Sequence, residues 1–186
     1  MRFATLAFAS VAAFGLLEAA SAAVIPVKAV VAQVLLERAF ERSVAEHRPV
    51  KPWPWADMAP VARIRIPRLG LSDVALDSGS GQALAFGPTF LPTAAAPGAA
   101  GTAVAAAHRD THFRGLKGVR IGDRILVEGI DGRSTIYRVD ALQVTRWDRF
   151  AVSSDRSTPR LALVTCYPLD AVTHGPLRYV VLASKA

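Results

Sequence analysis

From residue 62 onward the chain is built of short strand-like segments separated by turn residues, and this pattern limits its fold more than any other feature. Residues 62–66 (ARIRI) alternate apolar and basic side chains, which is the period of a half-buried strand. Residues 101–107 (GTAVAAA) form an apolar run typical of a buried strand, and Asp131-Gly132 predicts a hairpin. Seven or eight short strands with one short helix near 82–86 predict a mainly β fold, a small closed β-barrel. The other predicted strands are 74–76, 124–128, 134–139, 141–146, 160–165 and 177–182.

The N-terminal segment, residues 1–27, is apolar enough to direct the chain across a membrane. Phe3 to Leu17 is a fifteen-residue apolar run, a length typical of a signal-peptide core, and Ala20-Ser21-Ala22 offers a cleavage pattern. Alternatively, the run continues past Glu18 to Val27 as one membrane helix, for which about 20 apolar residues suffice. A carboxyl group within a span costs about 2.5–3.5 kcal/mol at the centre. We favour retention of the segment as a signal-anchor.

Residues 28–59 connect this segment to the predicted barrel. Residues 27–42 have helical spacing that places Val30, Val34, Leu35 and Phe40 broadly on one side. This helix either lies on the membrane or packs on the folded domain. Three prolines in the stretch HRPVKPWPW then prevent the helix from continuing. We therefore expect the folded domain to cover residues 60–186.

The net charge of the chain alone excludes few kinds of binding partner. The net charge is +7, which suits either nucleic acid or an anionic lipid surface. The basic residues are scattered singly, without a run of five or six and without an aromatic-plus-basic RNA motif. Nucleic acid is therefore not expected as a partner.

The single cysteine, Cys166, cannot form an intrachain disulfide, so in an exported protein it is a candidate reactive group. It ends the segment 160–165 and is followed by Tyr167-Pro168, where the proline stops strand pairing. This position predicts a thiol that faces a loop-lined cleft. The alternative is a small buried residue of the core.

Two further residues share this kind of position. His108 ends the apolar strand 101–107, and Arg178 lies early in the last strand, twelve residues after Cys166. A base or a cation beside a thiol favours the thiolate, a histidine can protonate a departing amine, and a guanidinium can stabilise an oxyanion. Each residue alone has an ordinary structural explanation, but together they match the needs of a cysteine nucleophile.

The residues around these three positions resemble the sortase family of cysteine transpeptidases. Leu163-Val164-Thr165-Cys166 is similar to the sortase Leu-x-Thr-Cys signature, and Arg178 stands where sortases carry an active-site arginine. Residues 107–113 (AHRDTHF) resemble the histidine loop of the Gram-negative, marine proteobacterial group, class GN. The resemblance runs from about Ile25 to Ala183. Other stretches that contribute to it are 32–38, 53–57, 60–63, 84–88 and 166–168.

This resemblance implies the sortase-like barrel, no cofactor and no metal, and a defined reaction. Cys166 attacks the Thr–Gly carbonyl of a Leu-Pro-x-Thr-Gly-like sorting signal and forms a thioacyl-enzyme. His108 acts as acid and base, Arg178 stabilises the oxyanion, and the acyl group passes to an amine acceptor. The implied partners are one dedicated surface protein, the amine acceptor and the bacterial inner membrane, with the catalytic domain on the periplasmic side.

Three supporting residues are weaker candidates. Thr165 is a candidate for positioning the peptide, and Asp110 for orienting His108, although an aspartate there also suits a turn. His174 lies in the loop that borders the peptide groove of sortases. One departure from the family pattern is Ala107, where sortases commonly have glycine; an alanine is strained there only if the position needs a positive φ.

Three other functions remain open at this point. His108, Asp110, His112 and His174 would be the ligands of a metal enzyme, but nothing supplies further ligands and the cysteine would be unexplained. The chain could also be an anchored barrel that binds a peptide without cleaving it. Finally, it could be a cysteine peptidase in which water, rather than an amine, resolves the intermediate.

Overall fold

The fold was analysed in a computed structural model that describes residues 28–78, 80–152, 157–171, 173 and 175–186. Its centre is a closed β-barrel of eight strands, in the order β1-β2-β3-β4-β7-β8-β6-β5. The strands are β1 (Pro60–Ile66), β2 (Leu71–Leu76), β3 (Thr89–Phe90), β4 (Gly101–Ala106), β5 (Arg124–Gly129), β6 (Ser134–Arg146), β7 (Pro159–Tyr167) and β8 (Leu177–Lys185). Closure leaves no unpaired sheet edge, which a set of such short strands requires. The predicted closed β-barrel is confirmed.

Alternation along each strand builds two apolar layers. In β1 the burial alternates strictly, with Ala62, Ile64 and Ile66 inside the barrel. The arginines between them, Arg63 and Arg65, face outward and are half-buried. A second apolar cluster lies on the outer face of β4, β7 and β8; its buried members are Val104, Ala162 and Val180. Strands β4, β7 and β8 are therefore apolar on both faces.

Helices are few in the described part of the chain. Residues 28–46 form helix α1, the longest of them, Gly81–Phe86 form α2, and Pro67–Leu69 and Arg114–Gly118 are 3-10 turns. The Ser80 side chain caps α2 by accepting a hydrogen bond from the Ala83 amide, as an N-cap serine does. Among the described helices, none has both the length and the apolar composition needed to cross a bilayer. The proposed signal-anchor, residues 1–27, lies outside the described residues.

Helix α1 packs on the barrel. Leu36 and Phe40 are buried against Met58 and Leu76, and complete burial of such side chains stabilises by about 1.5–3 kcal/mol each. Arg63 of β1 lies with its guanidinium carbon 4.5 Å from the centre of the Phe40 ring and forms an ion pair with Glu37. Of the two placements left open for this helix, the structure shows packing on the domain.

The buried stripe of α1 differs from the predicted one. Val30 and Val34 are exposed, Leu35 is half-buried, and only Phe40 of the predicted set is fully buried. The helix is apolar on several sides, so hydrophobicity alone did not identify the face that meets the barrel. The stripe that does so is Ala32, Leu36, Ala39, Phe40 and Ser43.

Seven of the eight strands coincide with predicted segments, but several extend beyond them. Strand β2 begins three residues earlier, at Leu71, β7 continues through Cys166 to Tyr167, and β8 ends three residues later, at Lys185. The predicted segments 134–139 and 141–146 form one strand, β6, interrupted by a register shift between Val139 and Ala141. Strand β3 was not predicted, because its two residues lie in a turn-rich stretch and pair mainly with β4. The hairpin at Asp131-Gly132 is confirmed by the antiparallel pairing of β5 with β6.

Candidate active site

Cys166 and Arg178 lie directly opposite each other on neighbouring strands. In the antiparallel pairing of β7 with β8, Cys166 is the register partner of Arg178. Side chains of directly opposite residues leave the same face of a sheet, with Cβ atoms about 4.5–5.5 Å apart. The thiol and the guanidinium therefore start from adjacent points on one face.

That face is the outer surface of the barrel. Along β7, Leu161 and Leu163 belong to the interior core, whereas Ala162 and Val164 belong to the outer cluster. Because side chains alternate along a strand, Cys166 continues the outer row. Its side chain is free and half-buried. The alternative of a thiol packed in the barrel core is wrong.

His108 reaches the same face from the other neighbouring strand. Strands β4 and β7 are parallel, Ala106 pairs with Val164, and the Ala107 amide donates to the Val164 carbonyl at 3.2 Å. His108 lies two residues after Ala106, as Cys166 lies two residues after Val164, so the backbone brings the two residues to the same end of the neighbouring strands. His108 is exposed, and both residues line one cavity of about 550 Å³.

Ala107 occupies its position without strain. Its amide continues the parallel ladder, and its side chain is buried in the interior core. Among the described residues, His47 is the one non-glycine residue with a positive φ. The position before His108 therefore needs no glycine conformation, and an alanine fits there.

A buried layer supports these residues from inside the barrel. Thr165 is 2% exposed, and its hydroxyl donates to the Ala107 carbonyl at 2.8 Å. The sequence suggested Thr165 as a peptide-positioning residue; in the structure its hydroxyl instead connects the residue before Cys166 to the residue before His108. Tyr179, the register partner of Thr165, is packed against the same core, and burial raises the pKa of its phenol.

The Arg178 guanidinium is held at one nitrogen. Its Nη1 donates to the carbonyls of Gly175 at 2.9 Å and Leu177 at 2.8 Å. No hydrogen bond of its Nη2 or Nε is found within the described residues. Arg178 also lines a separate groove of about 400 Å³ with Trp147, Gly175 and Pro176.

The three predicted catalytic residues thus form a row on the barrel's outer face. His108 follows β4, Cys166 lies on β7 and Arg178 on β8, and these strands are consecutive in the barrel. The 550 Å³ cavity lies on the β4 side of Cys166, and the groove with Arg178 lies on the β8 side. Cys166 thus lies between His108 and Arg178 in the order of the strands.

The loop after β4, residues 107–118, is fixed at several points. His112 Nδ1 lies 2.8 Å from Asp73 Oδ1 on β2, and both side chains are largely buried. Phe113 and Leu116 are completely buried in the interior core. His112 is therefore occupied by Asp73, and we assign it to the support of the loop.

Arg109 was not singled out from the sequence, although it is the most buried arginine of the described chain. It is 7% exposed, and its two terminal nitrogens donate to the carbonyls of Pro168 at 3.0 Å and Thr173 at 2.7 Å. In sequence it is one more single arginine in a polar loop. The only signal that could have found it is its position between His108 and Asp110.

The remaining candidate residues from the sequence are Asp110 and His174. Asp110 is exposed and lines the cavity, but no hydrogen bond to His108 is found among the described residues. His174 lies outside the described residues. Over the part of the chain that is described, no group of three histidine, cysteine or acidic side chains is placed to hold a metal ion.

Comparison with known proteins identifies the domain. Residues 64–186 match the family model for the Sortase domain. Sortase A from Corynebacterium diphtheriae superimposes with a TM-score of 0.63 at 25% identity, over 71% of this chain and 63% of that one. The matched part therefore spans less than two thirds of that sortase A chain. No curated protein matches the chain significantly.

Two other solved structures agree on the barrel. Streptococcus agalactiae sortase C1, in complex with MTSET, gives a TM-score of 0.62 at 25% identity over 68% of this chain and 67% of that one. A Clostridium perfringens Sortase D5 transpeptidase gives 0.69 at 19% identity, over 84% and 99%. The second likeness shows the fold alone.

Proposed function

The chain belongs to the sortase family, and from that premise we propose that it is a class GN cysteine transpeptidase that cleaves a Leu-Pro-x-Thr-Gly-like sorting signal between Thr and Gly. The observation that supports this most is the row of His108, Cys166 and Arg178 on three consecutive strands. The outer-face cleft beside them leaves room for a peptide. The proposed substrate is a single dedicated surface protein.

The first half-reaction forms a thioester. The Cys166 thiolate attacks the carbonyl carbon of the Thr–Gly bond, a C–S bond forms, and negative charge moves to the carbonyl oxygen. Arg178 donates to this oxygen through its free nitrogens, a contact that strengthens as charge develops. When the intermediate collapses, the C–N bond breaks and His108 gives its proton to the departing glycine amine.

The second half-reaction transfers the acyl group. An incoming amine attacks the thioester carbonyl, His108 accepts a proton from the attacking nitrogen, and Cys166 leaves as the thiolate. If water attacks instead of the amine, the same steps give hydrolysis. The cavity beside His108 offers space for either nucleophile.

We also propose that residues 1–27 anchor the protein by a single pass in the bacterial inner membrane, with the catalytic barrel on the periplasmic side. The apolar run in residues 3–17 and its continuation to Val27 support this placement. Exposed apolar residues at the start of α1, Val30, Val31 and Val34, continue the apolar character into the described chain.

The test is turnover of fluorogenic sorting-signal peptides by the full-length chain in detergent, with and without an amine acceptor. We expect cleavage between Thr and Gly and, with the amine, a ligated product. Cys166→Ala should abolish both products, because Cys166 is the only cysteine of the chain. Cleavage retained by Cys166→Ala would refute the proposal. Binding of the peptide without cleavage would favour a non-catalytic barrel, and cleavage without ligation a peptidase.

A further inference from the structure

Arg109 contacts both ends of the segment that forms one wall of the cavity beside Cys166. Its Nη1 donates to the Pro168 carbonyl and its Nη2 to the Thr173 carbonyl. Leu169, Asp170 and Ala171 lie between these two contacts and line the cavity with His108 and Cys166. We propose that Arg109 is a positioning residue that holds this wall for the amine acceptor and so sets the ratio of transpeptidation to hydrolysis.

The burial and hydrogen bonds of Arg109 show that it connects two loops, as a clamp, and is not an exposed surface charge. The side chain is 7% exposed and forms no ion pair with any described carboxylate; its recorded partners are backbone carbonyls. A buried cation is costly unless its donors are satisfied, so these two contacts are favoured over an open position. A planar guanidinium donates from two separated nitrogens, which a lysine ammonium cannot do.

The clamp joins two loops that carry different parts of the reaction. Arg109 is adjacent to His108 in the loop after β4, and its acceptors lie 59 and 64 residues further along, in the loop that follows Cys166. The loop after β4 is itself fixed to the barrel through Phe113 and Leu116. The wall of the cavity is therefore held from a rigid base.

The chemistry of His108 assigns this cavity to the amines. This step rests on the proposed function, in which His108 protonates the leaving amine and deprotonates the incoming one. The cavity lies on the His108 side of the sulfur, whereas Arg178 and Trp147 line the groove on the opposite side. Leaving and incoming amines thus occupy the cavity whose wall Arg109 holds.

A loosened wall should affect an amine more than water. The cavity wall must orient an amine acceptor against the thioester. Water is present at high concentration and can attack without being oriented by the wall. Misplacement of a reactant by about 1 Å can cost roughly a hundredfold in rate. Loss of the clamp is therefore expected to reduce ligation while acylation of Cys166 continues.

The experiment compares ligated and hydrolysed product formed by the full-length chain from one sorting-signal peptide. Triglycine is the acceptor, because a glycine amine leaves in the forward reaction and must fit the same place in reverse. We expect Arg109→Ala to lower the ligation-to-hydrolysis ratio about tenfold to a hundredfold, and Arg109→Lys to lower it less. Both products arise from one acyl-enzyme, so the fraction of folded protein cancels in the ratio.

Two controls separate positioning from general destabilisation. Arg65→Ala removes a guanidinium that bonds Glu128 across β1 and β5, away from the cavity and from the loop that carries His108, and it should leave the ratio unchanged. Hydroxylamine, a small acceptor, should lose less ligation than triglycine in Arg109→Ala.

An unchanged ratio in both Arg109 variants would overturn the inference, and so would an equal fall in Arg65→Ala. If the unmodified chain cleaves no sorting peptide, or only hydrolyses it, the proposed function fails first and the inference with it. If the unmodified chain ligates and the Arg109 variants keep its ratio, only the inference fails.

Discussion

The residues on the outer face of the barrel at the cleft differ in hydrogen bonding and burial from the residues directly beneath them. On the outer face, His108 and Cys166 have no hydrogen-bond partner among the described side chains, and Arg178 keeps two donor groups free. One residue earlier along each strand, Thr165 is bonded to Ala107, and both are buried. Within the described residues, the proposed reacting groups therefore have few side-chain contacts, whereas their sequence neighbours are fixed.

The period of the strand explains how this is possible. Successive side chains point to opposite faces, so the same two short segments supply both layers. A residue on the outer face needs no packing of its own, because its inward neighbour anchors the backbone. The cleft can therefore remain open to a peptide without loss of precision in the positions of sulfur and imidazole.

Apart from removal of the Cys166 thiol, the largest effect should come from a change of Arg178 on the outer face. Arg178→Lys keeps the positive charge but replaces a fork of donors, one already committed to Gly175 and Leu177, by a single ammonium. Removal of one oxyanion donor commonly costs about 10²–10³ in turnover. We expect a loss of this size in kcat for the sorting peptide, measured by its fluorogenic cleavage.

Arg146→Lys is the matched control for this change. Arg146 is exposed at the end of β6, where its partner is Asp148, and it should retain cleavage within a few-fold. Comparable losses in both variants would show that any arginine-to-lysine change in this region lowers turnover, and that the Arg178 guanidinium has no special part in it.

A smaller effect is expected from the inner layer at Thr165. Thr165→Val preserves the shape of the side chain and removes the hydroxyl that holds the Ala107 carbonyl, so His108 is less well placed. A net hydrogen bond is worth about 0.5–1.5 kcal/mol, and 1.36 kcal/mol corresponds to tenfold in rate. We expect kcat to fall by up to about tenfold with KM for the peptide unchanged, after active sites are counted by alkylation of Cys166.

Thr165→Ser tests whether the hydroxyl is responsible. Serine can donate to the same carbonyl and should restore most of the rate. A raised KM with unchanged kcat in Thr165→Val would instead support the original interpretation of Thr165 as a peptide contact.

The outer layer could be predicted from the sequence, and the inner layer could not. Cys166 and His108 each lie near the end of an apolar strand, where alternation and the following turn expose a side chain. Their exposure on one face could therefore be predicted from the sequence. The contact between Thr165 and Ala107 joins residues 58 positions apart and depends on the parallel register of β4 with β7. A single sequence contains no signal for that register.

The same limit explains Arg109 and His112. Their partners, Pro168 and Thr173 for one and Asp73 for the other, come from distant loops and strands. Seven of the eight strands were predictable because alternation and turn residues are local. Strand β3 was missed because two residues are too few to show a period. Local patterns predicted the barrel, and strand-end positions together with the family resemblance predicted the candidate reacting groups. The contacts that position those groups became visible only in the fold.

The smallest effect on the reaction should come from a fixed pair outside the cleft, Arg68 and Asp123. Hydrogen bonds from the Arg68 guanidinium, at 2.6 Å each, hold the pKa of the Asp123 carboxyl below its ordinary value. A lowered folded-state pKa stabilises the fold above the unfolded value of about 3.9, and this contribution is lost as the pH falls through the folded value.

Asp123→Asn should therefore lower the melting temperature by several degrees at pH 7, with a gap to the unmodified protein that narrows below about pH 4. Turnover per active site should stay within about twofold. The Arg68–Asp123 pair lies outside the cleft, so its loss should not move the outer-face residues or the residues beneath them. Asp57→Asn, at an exposed position, should change neither quantity. A constant melting gap across this pH range would mean that the carboxylate charge contributes nothing. A large fall in turnover per active site would mean that the cleft depends on the whole barrel rather than on the residues directly beneath it.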